Sequence, residues 1–114
     1  MKVKNLIGGG QVFFCPGCGH THSVNTQPNG PRWSYNNDPI KPTFSPSIRV
    51  TARWSEHDPN DKDDLCHSFV IDGRIQFLSD CTHEMTGKIV DIPDWPYAPG
   101  TYGGIEESVI GVIL

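Results

Sequence analysis

Two groups of residues in this sequence have the types and spacing to do chemistry. The first is built on sulfur. Cys15-Pro16-Gly17-Cys18-Gly19 is a Cys-x-x-Cys loop with proline and glycine between the thiols. That is the shape of a zinc knuckle, because the glycines let backbone amides turn towards the thiolate sulfurs. A redox dithiol would belong to a βαβ setting, which the surrounding residues lack. Cys66 and Cys81 complete the cysteine count of four. Together Cys15, Cys18, Cys66 and Cys81 make a tetrahedral four-thiolate set for a structural zinc. His67 or His83 can replace one thiolate; His20 and His22, beside the knuckle, also offer an imidazole, though they read more readily as exposed loop residues.

The second group is His67, Asp80 and a serine. A hydroxyl becomes a nucleophile when a base within hydrogen-bond reach takes its proton and a third group orients that base. His67 supplies the base and Asp80 the orienter. Ser45 or Ser47, from the segment Lys41-Pro42-Thr43-Phe44-Ser45-Pro46-Ser47, supplies the hydroxyl. On residue type alone both serines equally read as turn residues that satisfy local hydrogen bonds. A third arrangement would gather His22, His67 and His83 around an open metal site that activates water.

These groups need a scaffold, and Asp72-Gly73 is its clearest signal. The dipeptide suits a two-residue type I′ turn, so the stretch from Cys66 to His83 is predicted to be a hairpin. Pairing Ile71 with Arg74 sets Phe69 opposite Gln76, His67 opposite Leu78 and Leu65 opposite Asp80. On a two-residue period, Cys66, Ser68 and Val70 share a face with Ile75, Phe77, Ser79 and Cys81. His67 and Asp80 lie together on the other face. A one-residue slip would exchange the two faces. Pro42 and Pro46 predict an edge or bulged strand over 41–51. Further short strands are expected near 1–7, 11–14, 23–25, 32–36, 52–54 and 88–92. An acidic loop is expected at 56–64 and an aromatic, irregular loop at 93–100. Residues 108–114 read as a terminal core strand or a partner surface.

With 114 residues the chain is expected to be a single domain, 1–114, with a modest core that a metal staple would reinforce. Ten prolines and twelve glycines leave few windows for a helix. The fold class is therefore mainly β: a small antiparallel sheet or sandwich, stapled by the zinc knuckle and the central hairpin. A net charge of −4, from 9 basic and 13 acidic residues, gives no electrostatic footprint for nucleic acid. No apolar run reaches the length of a membrane span and no signal-peptide core is visible, so a cytoplasmic protein without membrane contact is expected. In that compartment the cysteines are metal ligands or free thiols rather than disulfides.

Several motifs taken together resemble a known family. These are Cys15-Pro-Gly-Cys-Gly, Lys41-Pro-Thr-Phe-Ser-Pro-Ser, Cys66-His-Ser-Phe, Asp72-Gly, Ile75-Gln-Phe-Leu and Asp80-Cys-Thr-His. They look like small phage and prophage proteins often labelled "ammonia monooxygenase", over roughly residues 11–95. That label describes a membrane copper enzyme, and this sequence has no segment that would support it. Related domains occur in bacterial operons encoding ubiquitin-like proteins with E1-like and E2-like partners. There they resemble peptidases that process or remove the modifier with a serine nucleophile. Carried onto this sequence, the resemblance implies Ser45, His67 and Asp80 as catalytic residues, with Ser47 and His83 next in line. The expectation is a serine-type peptidase cleaving peptide or isopeptide bonds of a ubiquitin-like or other protein substrate in a bacterial cell. Two other readings stand beside it: a non-catalytic zinc-binding phage protein that occupies a host protein, and a zinc-dependent hydrolase.

Overall fold

A computed structural model describes residues 1–28 and 30–106, so the expected terminal strand at 108–114 lies outside the described residues. The chain forms two antiparallel sheets. The first contains β1 (Val3–Asn5), β2 (Gln11–Cys15) and β3 (His20–Val24), in that order. The second contains β4 (Ser34–Tyr35), β5 (Phe44–Ala52), β6 (Asp64–Ile71), β7 (Arg74–Phe77) and β8 (Ile89–Asp91), also in sequence order. A single 3₁₀ turn, Trp54–Glu56, is the only helical element among the described residues. The strand expected to continue over 52–54 stops at Ala52, and this turn takes over from Trp54. The mainly β reading therefore holds.

One apolar core joins the sheets. Val3, Phe13 and Val24 from the first meet Phe44, Ile48, Val70, Ile75 and Phe77 from the second, with Ile92 beneath. Phe13 stacks on Phe44 at 6.2 Å between ring centroids. Alternation along the strands sends these side chains to one face, as a half-buried antiparallel sheet requires. β6 shows it plainly, with Cys66, Ser68 and Val70 buried while Phe69 and Ile71 are exposed.

The hairpin register is the one the Asp72-Gly73 turn predicts. Ile71 pairs with Arg74, Val70 with Ile75, Phe69 with Gln76 and Ser68 with Phe77. Asp72 (φ 51°) and Gly73 (φ 78°) both occupy the left-handed region that a type I′ turn demands. A side chain at position 73 would also press to 3.2 Å from the Ile40 carbonyl oxygen. Past Phe77 the ladder changes. Leu78 N–H donates to His67 O at 2.9 Å, a turn closes from Cys81 N–H to Leu78 O at 3.2 Å, and Thr82 N–H donates to Leu65 O at 2.9 Å. Thr82, not Asp80, is thus the partner of Leu65, and Asp80 sits in the turn.

β5 is not an edge strand, because β4 covers its outer side for two residues. The bulge is present, however. Phe44 pairs with Val70 and Ile48 with Ser68, so Ser45, Pro46 and Ser47 together face the single residue Phe69. Pro46 is tolerated there because a bulge asks for no ladder donor.

Candidate active site and metal cluster

The outward face of β6 carries a chain of three polar groups. Ser47 Oγ lies 3.0 Å from His67 Nε2, and His67 Nδ1 lies 3.1 Å from Asp80 Oδ2. An ionised carboxylate only accepts, so Nδ1–H donates to Asp80 and Nε2 is left to accept the Ser47 hydroxyl proton. Each member comes from a different device. β6 presents His67, the bulge in β5 presents Ser47, and the turn after β7 swings Asp80 alongside. The main chain at Ser47 is fixed by Trp33, whose indole N–H donates to Ser47 O at 3.0 Å. The His67 side chain is 25% exposed and that of Asp80 48%, so the array is open to a macromolecular substrate. Arg49, cross-strand from His67 on the same face, is exposed.

Ser45, the serine expected to act, is placed elsewhere. It is exposed, pairs with Ser34 of β4, and its carbonyl accepts the Ser34 hydroxyl at 3.3 Å. Pairing with Ser34 holds Ser45 on the β4 side of the bulge, whereas Ser47 closes the bulge beside the Ile48–Ser68 rung, next to His67.

The inward face of the same strand belongs to sulfur. Ligand atoms of Cys15, Cys18, His22 and Cys66 all lie within 4.8 Å of one another, a set that can hold a metal ion. Cys15 ends β2, and the knuckle turn closes with Gly19 N–H on Cys15 O at 2.9 Å and Cys18 N–H on Cys15 Sγ at 3.4 Å. Cys66 brings β6 to the first sheet, its sulfur 4.0 Å from that of Cys15. His22 is 3% exposed, and its Nε2 is buried without a hydrogen-bond partner. An unsatisfied buried ring nitrogen is costly, and coordination to a metal would satisfy it. The electrostatics agree. The hydrogen bond from the Cys66 thiol, aided by His22, pushes the Cys15 thiol down to about 3. Burial and the neighbouring Cys15 charge push Cys18 up to about 12, and Cys66 is raised chiefly by the hydrogen bond it gives Cys15. The directions make Cys15 the first of the three thiols to lose its proton, and a cation would draw the other two off.

The four-membered cluster contains His22 where Cys81 was expected. The Cys81 thiol accepts the His67 N–H at 3.2 Å and donates to His67 O at 3.1 Å, so it braces the main chain behind the imidazole. Cys81 and His83 do form a second cluster with Cys66. Yet His83 Nδ1 accepts the Met85 N–H at 3.2 Å, which puts the ring proton on Nε2. His22 was on offer as an imidazole near the knuckle, and β3 beginning at His20 rather than Ser23 turns it inward. The alternation of buried His22 and Val24 with exposed Ser23 was the available signal. The three-histidine site is not assembled, since neither cluster among the described residues contains His67.

With this geometry in view, the comparisons with known proteins are specific. No curated protein and no solved structure matches the chain. The family model described as "Bacterial ubiquitination-like system serine protease (BubE)" matches residues 3–78, about two thirds of the 114 residues. The span takes in Ser47, His67, Cys15, Cys18, His22 and Cys66, and stops two residues before Asp80. The relation to peptidases of bacterial ubiquitin-like systems is thereby borne out, and the chain belongs to the BubE family of serine proteases.

Proposed function

We propose that this chain is a serine peptidase in which Ser47 is the nucleophile, His67 the general base and Asp80 the group that orients the imidazole. The observation that carries the reading is the continuous hydrogen-bond chain from Ser47 Oγ through both nitrogens of His67 to Asp80. Ser47 Oγ attacks the scissile carbonyl carbon while Nε2 takes the hydroxyl proton. The imidazolium, stabilised by Asp80, then gives that proton to the leaving nitrogen as the C–N bond breaks. Water, activated by the same nitrogen, hydrolyses the acyl-enzyme and restores the serine. The substrate is a protein, and a peptide or isopeptide bond to a ubiquitin-like modifier is the target that suits the family.

The Cys15–Cys18–His22–Cys66 set would hold zinc as a closed four-ligand site. Bound there, the ion ties the knuckle to β6 and supplies folding energy rather than an activated water. A bacterial cytoplasm, where thiols stay reduced, suits such a site.

A fluorophosphonate probe tests the assignment. It is expected to label the wild-type chain and Ser45→Ala but not Ser47→Ala. Equal labelling of Ser47→Ala would place the nucleophile on another residue. Metal analysis is expected to give one tightly held zinc, whose removal unfolds the chain instead of reversibly silencing it.

A further inference from the structure

The outward face of the second sheet continues past His67 into an apolar groove. Phe69, Ile71 and Ile89 are among the few exposed large apolar side chains, at 39%, 52% and 60%. They line a single groove of about 380 Å³ with Gln76, Arg74 and Asp72 at its rim. Phe69 stands directly opposite the Ser45–Ser47 bulge and two residues from His67 on the same face. Gln76 is its cross-strand partner and Ile89 lies beyond Gln76 on β8, so the apolar row starts at the nucleophile and runs across the sheet. On the other side of His67 the same face is polar, with Arg49 and Thr51 exposed.

Taken with the serine-peptidase reading, on which this rests, we infer that the groove selects an apolar side chain of an extended polypeptide substrate, within two residues of the scissile bond. The spacing supports it. Ser47 and Phe69 sit on neighbouring strands, whose spacing is about 4.8 Å, and same-side side chains of an extended substrate are about 7 Å apart. A carbonyl held at Ser47 therefore sets a neighbouring substrate side chain over Phe69. Adjacency to the hydroxyl–imidazole–carboxylate array is what assigns the groove to substrate rather than to a second copy of the chain. Gln76 and the Arg74–Asp91 ion pair (3.2 Å) form a polar rim where the substrate main chain leaves the groove.

The test uses the metal-loaded full chain, an unfolded carboxymethylated protein as substrate, and mass-spectrometric mapping of cleavage sites. Leu, Ile, Val, Phe and Met are expected to be enriched at one fixed position within two residues of the cut. Peptides carrying leucine there should exceed those carrying aspartate by roughly 10- to 100-fold in kcat/KM. Phe69→Asp should invert the preference towards Lys and Arg while fluorophosphonate labelling of Ser47 persists, a gain that misfolding cannot mimic. A labelled wild-type chain that shows no apolar preference, or that cuts no unfolded polypeptide, overturns the groove assignment and leaves Ser47 standing. So does a dimer that Phe69→Asp converts to monomer with cleavage sites unchanged. A wild-type chain that is neither labelled nor active overturns both readings.

Discussion

Cys66 and His67 are adjacent in sequence and live in opposite surroundings. Cys66, 3% exposed, faces the core and the cysteines of the knuckle. His67, its side chain 25% exposed, faces solvent between Ser47 and Asp80. The two-residue period of a strand does this with no extra structure. The difference teaches how so small a chain can hold a reactive imidazole steady. The residues on either side of His67, Cys66 and Ser68, are both locked in the interior, and the Cys81 thiol grips the His67 main chain from behind. Order is supplied from the inner face and presented on the outer one, so the entropy of fixing the imidazole is offset in folding.

If the two faces are separable, changes on one should leave the other intact. The largest effect expected is from His67→Ala, which should lower peptide hydrolysis by about 10⁴-fold or more with zinc content and Tm unchanged. Loss of zinc in that variant would break the division. Asp80→Asn should cost roughly 10²- to 10³-fold in kcat, less than a buried carboxylate would because Asp80 is half exposed. On the inner face, His22→Ala should release the metal and lower Tm by more than about 10 °C, read by calorimetry and metal analysis. Full zinc retention there would return the fourth ligand to Cys81 or His83. The smallest effect belongs to the residue that bridges the faces. Cys81→Ala should keep one equivalent of zinc yet lose roughly 3- to 10-fold in kcat through a looser imidazole.

How much of this was legible in the sequence depends on whether a local rule governed each position. The hairpin register was legible because Asp72 and Gly73 are among the few residue types that accept positive φ in succession, and every pairing down to Ser68–Phe77 follows from that turn. The meeting of His67 with Asp80 was legible too, though by a different route. The turn closed from Cys81 N–H to Leu78 O brings Asp80 in, where an unbroken ladder would have set it against Leu65. The placing of Ser47 rather than Ser45 beside His67 was not legible, because no turn residue sets the register of β5 on β6 as Asp72-Gly73 sets that of the hairpin. Nor was it legible which histidine joins the cysteines, although His22 was among those on offer. Its place in the cluster depends on β3 pairing back onto β2 directly after the knuckle, with Cys15 opposite His20 and Phe13 opposite His22. A reading that let the loop run on to His22 could not see that.

The bulge at Ser45–Ser47 is slack held between two fixed rungs, Phe44–Val70 and Ile48–Ser68. A deletion there can be absorbed without disturbing either rung, since the flanking pairs are set by buried side chains and not by what lies between them. The hydroxyl alone would be carried out of reach. With Ser47 as the proposed nucleophile, the difference between an active and an inert sheet is written partly in the count of residues between two rungs, a property that comparison of side chains position by position would pass over.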